Sequence, residues 1–328
     1  MRVFTFNADP LKPSVTLFPP DLDDDPWVFY HATSSVAEPA IDSEGLRWRP
    51  GVCSYSDIME VVRIFKSMNW YGLSSGGYVV LGSFTLQGDF AGADAKPVYF
   101  REYSTRSLIY ARRDFAGGES ARAVRFAFRD LETYLNDERV REEHYQKQYQ
   151  ECCSLLRSGA LPTRVVRVNL DWLRARLTAL RPLRQRCDDI EQAHTHGVVY
   201  AVRFGKADLP FLNYLGAMGL RCYTPLGADR IVGKAILPED DGQWPSGEDF
   251  DSQLQDRCLE RMRMGLIAAL AVADRDGRTY QAREGNRLPQ HTCEESLDGA
   301  AGEDESYSLA LKHGTPEVVE YVHSQMQR

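Results

Sequence analysis

The chain has 328 residues, 43% of them hydrophobic and 26% charged, an ordinary globular composition that excludes general disorder. Its formal net charge of −8 excludes capture of nucleic acid by bulk electrostatics and leaves only a local basic patch for that role. Seven scattered cysteines, without C-x-x-C or a Cys/His cluster at zinc spacing, argue against a disulfide framework and a metal site, and fit reduced, mostly buried thiols in the cytoplasm.

Residues 1–26 read as an extended leader. Pro10, Pro13, Pro19 and Pro20 oppose helix, and Asp21, Asp23, Asp24 and Asp25 follow where a signal peptide would be apolar. No stretch approaches a membrane span, so no membrane contact is expected. The protein is expected in the cytoplasm, or in a target cell reached by a signal-less route.

The first strong strand is Trp27-Val28-Phe29-Tyr30-His31. A helix over about 36–44 follows, and Gly45 stops it because glycine alone adopts positive φ cheaply. Ile58, Val61, Val62 and Phe65 predict a helix over 57–68. Strands are expected over 77–84 and 98–100, and Ser104 is a candidate cap for a helix through Ala111. Residues 120–157 read as one long helical pattern, 164–169 as a strand, and 170–180 as a helix.

Further strands are expected over 198–204, 220–224 and 231–237. The polar, breaker-rich stretch 239–251 marks a domain boundary. Beyond it, 250–328 reads as a helical C-terminal region in which 310–321 resembles one degenerate ankyrin helix pair. Strands and helices interleave without a βαβ rhythm, and no G-x-G-x-x-G follows a strand, so a Rossmann site is unsupported. The expected class is α+β, a mixed β core with large helical insertions. The principal domain is expected over 27–238, with an insertion at about 112–197.

Two motifs carry chemistry. In the first, Phe29-Tyr30-His31-Ala32-Thr33 is followed by Ala40-Ile41 and Gly45-Leu46-Arg47. It sets an imidazole at a strand end beside backbone N–H groups, a corner able to hold a ribose hydroxyl and a carboxamide. In the second, Val98-Tyr99-Phe100 is followed by Ser107-Leu108-Ile109-Tyr110-Ala111. Ser107 and Tyr110 lie three apart on one helix face. They offer a hydroxyl and an aromatic surface to a flat, carboxamide-bearing ring. Standing alone, each motif is equally an ordinary turn histidine or a pair of core tyrosines.

Together, in this order and spacing, the motifs resemble those of the poly(ADP-ribose) polymerase and diphtheria-toxin branch of the ADP-ribosyltransferases. The resemblance spans about 27–111 and extends weakly to 238. It implies an ADP-ribosyltransferase-like fold that consumes NAD⁺ as substrate and needs no metal. It also implies roles: His31 at the nicotinamide-side ribose, the Ala32 backbone and Ser107 hydroxyl clamping the carboxamide, Tyr110 stacking on the ring that Tyr99 encloses, and Thr33 among the residues that bind NAD⁺. Alanine stands at 32 where the family usually has glycine.

The family often places a glutamate before a later apolar strand, where it steadies the cationic transition state of glycosidic cleavage. Here Asp229, in Gly227-Ala228-Asp229-Arg230-Ile231, takes that place. Its other reading is a turn aspartate paired with Arg230. The substitution points to single ADP-ribose transfer, by an enzyme of toxin, effector or defence type, onto a macromolecular acceptor that is protein rather than nucleic acid.

Between Arg157 and Arg186 stand eight arginines and one acidic residue. They read either as an anion-binding patch or as a solvated helical face. The patch reading supports a rival, an RNA 2′-phosphotransferase that also consumes NAD⁺. A second rival is a non-catalytic interaction module on a transferase scaffold. His194 and His196 lack a third ligand and read as loop histidines.

Overall fold

The computed structural model describes residues 1–5, 17–23, 25–49, 51–70, 97–101, 107–162, 164–214, 219–237 and 314–326. The expected strand at 77–84, the Ser104 cap and most of the expected helical region 250–328 lie outside them. The described residues form a mixed α+β protein in two compact units. One unit comprises those of 1–49, 93–113 and 194–328, and the other those of 50–92 and 114–193.

The first unit holds a mixed four-stranded sheet of β1 (Arg2–Thr5), β2 (Val28–Ser34), β4 (Gly197–Arg203) and β7 (Ile231–Leu237), in the order β1-β7-β4-β2. The β1 and β7 strands run parallel, and the other pairs are antiparallel. β4 lies between two neighbours with both faces covered, which is why Val198, Val199, Tyr200, Ala201 and Val202 are all fully buried. A three-stranded antiparallel sheet pairs β3 (Val98–Phe100) with β6 (Leu220–Cys222) and β6 with β5 (Leu212–Tyr214).

The leader is not separate from this sheet. Arg2 to Thr5 pair with Gly233 to Ile236, and Pro20–Asp23 forms a helical turn, α1. Leu17, Phe18 and Leu22 are buried against Val28, Tyr30 and Ala201. Prolines oppose helix at 10–20 but say nothing about a parallel partner far along the chain.

Helix α2 (Glu38–Glu44) begins with proline in its first turn and ends at Gly45, whose N–H donates to Ile41 O at 2.8 Å. Gly45 has φ 81° and ψ −168°. Leu46 then exchanges two backbone hydrogen bonds with Leu226.

The second unit is helical. α3 (Tyr55–Met68) opens on a reciprocal cap: Ser54 Oγ accepts from Asp57 N at 3.2 Å, and Asp57 Oδ2 accepts from Ser54 N at 3.0 Å. The expected single pattern over 120–157 is two helices, α4 (Gly118–Asn136) and α5 (Glu138–Arg157). Asp137 adopts an extended conformation between them and caps α5 by accepting from Arg139 N at 2.9 Å. α6 (Leu170–Ala179) and α7 (Arg181–Gln192) complete the unit around Ile58, Phe65, Val124, Leu131 and Leu173.

The expected strand over 164–169 is absent, because a side chain does the work of a neighbouring strand. Gln148 Oε1 accepts from Val166 N at 2.9 Å, and Gln148 Nε2 donates to Val166 O at 3.1 Å. Residues 316–326 form α8 (Pro316–Met326), whose Val318 joins the core of the first unit.

His144 on α5 is held neutral in the second unit. Its Nε2–H donates to Asn69 O at 3.1 Å, and Nδ1 accepts from Tyr134 and Gln148, each at 3.3 Å. Burial holds its pKa below the ordinary 6.5, against the pull of the Asn69 carbonyl. The unfolded chain therefore takes up a proton below about pH 6.5 that the native state refuses, so stability falls on acidification through that range. The urea midpoint of the wild type is expected to drop between pH 7.5 and 5.5, and His144→Gln to weaken that dependence. An unchanged slope in the variant would refute the assignment.

Candidate functional site at the edge of β2

The edge of β2 is where the motif residues meet. Tyr30 and Arg101 form an antiparallel bridge there, with N–O distances of 2.8 and 2.7 Å. Counting on from it places Phe100 beside His31 and Tyr99 beside Ala32, on alternating faces. The His31 ring accordingly lies 5.7 Å from that of Phe100, and its Nδ1–H donates to Tyr99 O at 2.8 Å. That bond fixes the tautomer and leaves Nε2 as an acceptor. Burial holds the His31 pKa below its ordinary value, with the Tyr99 carbonyl opposing, so the ring is neutral at pH 7.

The second motif sits on the other face. The 3₁₀ turn Leu108–Ala111 packs against Tyr30 and Ala32, with Tyr110 at the margin of that cluster. Arg101 lies over the Tyr110 ring at 5.3 Å and donates to its hydroxyl at 2.6 Å. Tyr99, cross-strand from Arg221, is 37% exposed, which leaves its ring edge accessible. Burial raises the Tyr99 pKa, and a hydrogen bond with Arg221 opposes the rise. Ser107 is buried at the start of the turn.

The motif residues thus fall into two groups. Ala32, Tyr99, Ser107 and Tyr110 share one face with Arg101. His31 and Thr33 take the opposite face of β2, alternating with Ala32. A slot that used all of them could exist only at the strand edge. Asp229 is exposed in the 3₁₀ turn before β7. It does not pair with Arg230, which instead donates to Asp208 and to Arg203 O.

The sheet register brings a different charged group into line with His31. His31 pairs with Tyr200, and Tyr200 with Lys234. Lys234 is only 6% exposed, and its Nζ donates to Glu38 Oε1 at 2.8 Å and Asp42 Oδ2 at 2.5 Å. Tyr200 donates to Asp42 Oδ1 at 2.9 Å, and His196 Nε2 reaches Glu38 Oε2 at 2.8 Å. Burial pulls the Lys234 pKa down, but bonds to Asp42 and Glu38 outweigh it and hold the ammonium above its ordinary value. Burial and the Asp42 carboxylate push the Tyr200 phenol well up. The cluster pins α2 to the sheet.

Sequence reasoning passed over this cluster, yet it left two signals: a lone lysine inside the apolar run Ile231–Leu237, and carboxylates at 38 and 42, one helical turn apart. Lys234→Ala removes the shared cation, leaving Asp42 with Tyr200 and Glu38 with His196. Removing one partner of a buried pair costs about 3–5 kcal/mol. The carboxylates here are 17% and 31% exposed, so screening lowers the expected loss to about 2–3 kcal/mol in a urea titration. A change below about 0.5 kcal/mol would mean that the cluster contributes nothing to stability.

Four of the eight arginines in the stretch form ion pairs within their own unit. Arg174 meets Asp171, Arg176 meets Glu60, Arg184 meets Asp188 and Arg186 meets Asp57. His194 is buried, with Nδ1 2.9 Å from Ser34 Oγ. Among the described residues there is no group of three or more His, Cys, Asp or Glu placed to hold a metal ion, and no helix long and apolar enough to cross a membrane. No family model, curated protein or solved structure matches the chain.

Proposed function

We propose that the chain is an NAD⁺-dependent mono-ADP-ribosyltransferase of toxin, effector or defence type, built on an ADP-ribosyltransferase-like core and modifying a protein acceptor. The observation that carries this reading is the junction of the two motifs. The His31 imidazole is hydrogen-bonded to the backbone of Tyr99, and Arg101, bridged to Tyr30 beside it, donates to the Tyr110 hydroxyl. A neutral imidazole, a buried hydroxyl and two phenol rings around one strand edge suit a ribose and a pyridine carboxamide.

In this reading His31 Nε2 accepts a hydrogen bond from a ribose hydroxyl. The Ala32 backbone and Ser107 bind the carboxamide, Tyr110 stacks on the nicotinamide, and Tyr99 closes over it. The nicotinamide–ribose bond breaks heterolytically. Its electron pair leaves with nicotinamide, and the ribose carries the positive charge until an acceptor nucleophile adds and loses its proton. Arg101 and Arg221 hold the two tyrosines rather than touching the reacting bond.

The test is incubation with NAD⁺ labelled in the adenylate half, with and without a cell lysate. Nicotinamide release together with label on protein supports the reading. Release that requires a 2′-phosphorylated RNA would support the phosphotransferase instead. The exposed position of Asp229, in the turn before β7, favours a second reading, in which the chain binds NAD⁺ without cleaving it. Calorimetric binding of NAD⁺ with no nicotinamide released would establish that one, and absence of both binding and release would overturn the two together.

A further inference from the structure

We propose that Cys53 and Cys187 are a paired modification site, a dithiol that a hydroperoxide oxidises to a disulfide stapling the entrance of α3 to α7. The sulfurs lie 3.5 Å apart across 134 positions of sequence, within the second unit. Both residues are buried, Cys187 completely and Cys53 to 9% exposure. A disulfide needs the sulfurs at about 2.05 Å, a closure that rotation of two side chains can supply.

The surroundings hold the thiols face to face. Cys53 precedes the capped first turn of α3, where Ser54 and Asp57 bond reciprocally. Val52 and Ile190 of α7 both crowd Gly117. A Cβ there would sit 3.2 Å from Val52 Cγ2 and 2.9 Å from Ile190 Cγ2, and φ is +83°. Glycine at 117 thus lets α7 and the Val52–Cys53 segment approach one another.

On the other side, Arg125, 5% exposed, donates to Cys187 O at 2.8 Å and to Asp114 O at 2.7 Å. Its Nε lies 3.5 Å from Glu191. The hydrogen bond between the two sulfurs, in which either can donate, and the Arg125 and Arg186 guanidiniums favour a thiolate at Cys187, holding its pKa below the ordinary thiol value and that of Cys53 above it. Either sulfur can then act as nucleophile and the other as resolving thiol, and the step is written for Cys187, whose backbone carbonyl Arg125 binds.

The chemistry balances with a hydroperoxide as oxidant. The Cys187 thiolate attacks the terminal peroxide oxygen and the O–O bond breaks. The departing alkoxide takes a proton and leaves as alcohol, or as water from hydrogen peroxide. Cys53 then displaces the sulfenic oxygen as a second water, forming the S–S bond. Two thiols lose two electrons, and one peroxide is reduced.

The experiment treats the full-length protein with hydrogen peroxide and follows it three ways. The expected results are loss of two of the seven thiols on titration in denaturant, a Cys53–Cys187 cross-linked peptide by non-reducing mass spectrometry, and a melting temperature raised by roughly 5–10 °C and restored by dithiothreitol. A folded Cys53→Ala is expected to lose all three responses. Full retention of thiols in the wild type would overturn the proposal, as would a disulfide confined to other pairs such as Cys152–Cys153. The peptide measurement on wild type needs no variant, so a misfolded Cys53→Ala cannot rescue or sink the idea by itself.

Discussion

His31→Ala is expected to lower nicotinamide release from NAD⁺ by about 10²–10³-fold while leaving the far-ultraviolet circular dichroism spectrum unchanged. The size follows from what the ring does in the proposed site. It makes no charge of its own, because burial keeps it neutral, so its contribution is orientation of the ribose through Nε2. Misplacing a reacting sugar by an ångström costs this much. His31→Asn refines the test. Its amide N–H can replace Nδ1–H toward the Tyr99 carbonyl and keep β3 in place, but it cannot supply the acceptor at the Nε2 position. If His31→Asn were as active as wild type, the ring would be serving only to tether Tyr99, and the ribose role would be lost. Because burial holds the His31 pKa below its ordinary value, the wild-type rate is expected to hold its plateau to lower pH than an ordinary histidine would allow.

The strand arithmetic of β2 was legible from period two alone. Alternation separates Phe29, His31 and Thr33 from Tyr30 and Ala32 before any coordinates are known. What was not legible is which face the Leu108–Ala111 turn covers, since that depends on where the chain returns after a long excursion. Spacing could therefore suggest that His31 and Tyr110 belong together, but not that they approach β2 from opposite sides. The same distinction explains Arg101 and Arg221. Arg101 follows Tyr99 by two in an extended segment and could have been read as sharing its face. Arg221 became a neighbour of Tyr99 only through the pairing of β3 with β6. Parallel pairing of Arg2–Thr5 with β7 left no local signal at all, because parallel strands need no connecting turn. Caps such as Ser54 with Asp57, and Asn169 at the head of α6, are written within a few residues of sequence, yet sequence reasoning named only Ser104.

Gly45→Ala is expected to destabilise the protein by about 4 kcal/mol, read as a fall in the urea midpoint at constant slope. Two separate effects contribute. The backbone at φ 81°, ψ −168° lies in a region that only glycine occupies comfortably, and a side chain there costs about 1–3 kcal/mol. In addition, a Cβ on Gly45 would meet Leu226 O at 2.1 Å and the backbone of Gly227 and Ala228 at 2.6 and 2.7 Å. No rotamer relieves a collision with main chain, so the Leu46–Leu226 bridge must open, at about 0.5–1.5 kcal/mol for each of its two hydrogen bonds. Gly45→Asn separates this from an ordinary helix stop. Asparagine tolerates the left-handed helical region but not this ψ, so it is expected to cost as much as alanine. Were Gly45→Asn within 1 kcal/mol of wild type, positive φ alone would be the requirement. The contact with Leu226, which sets where α2 delivers Glu38 and Asp42 to Lys234, would then carry no weight.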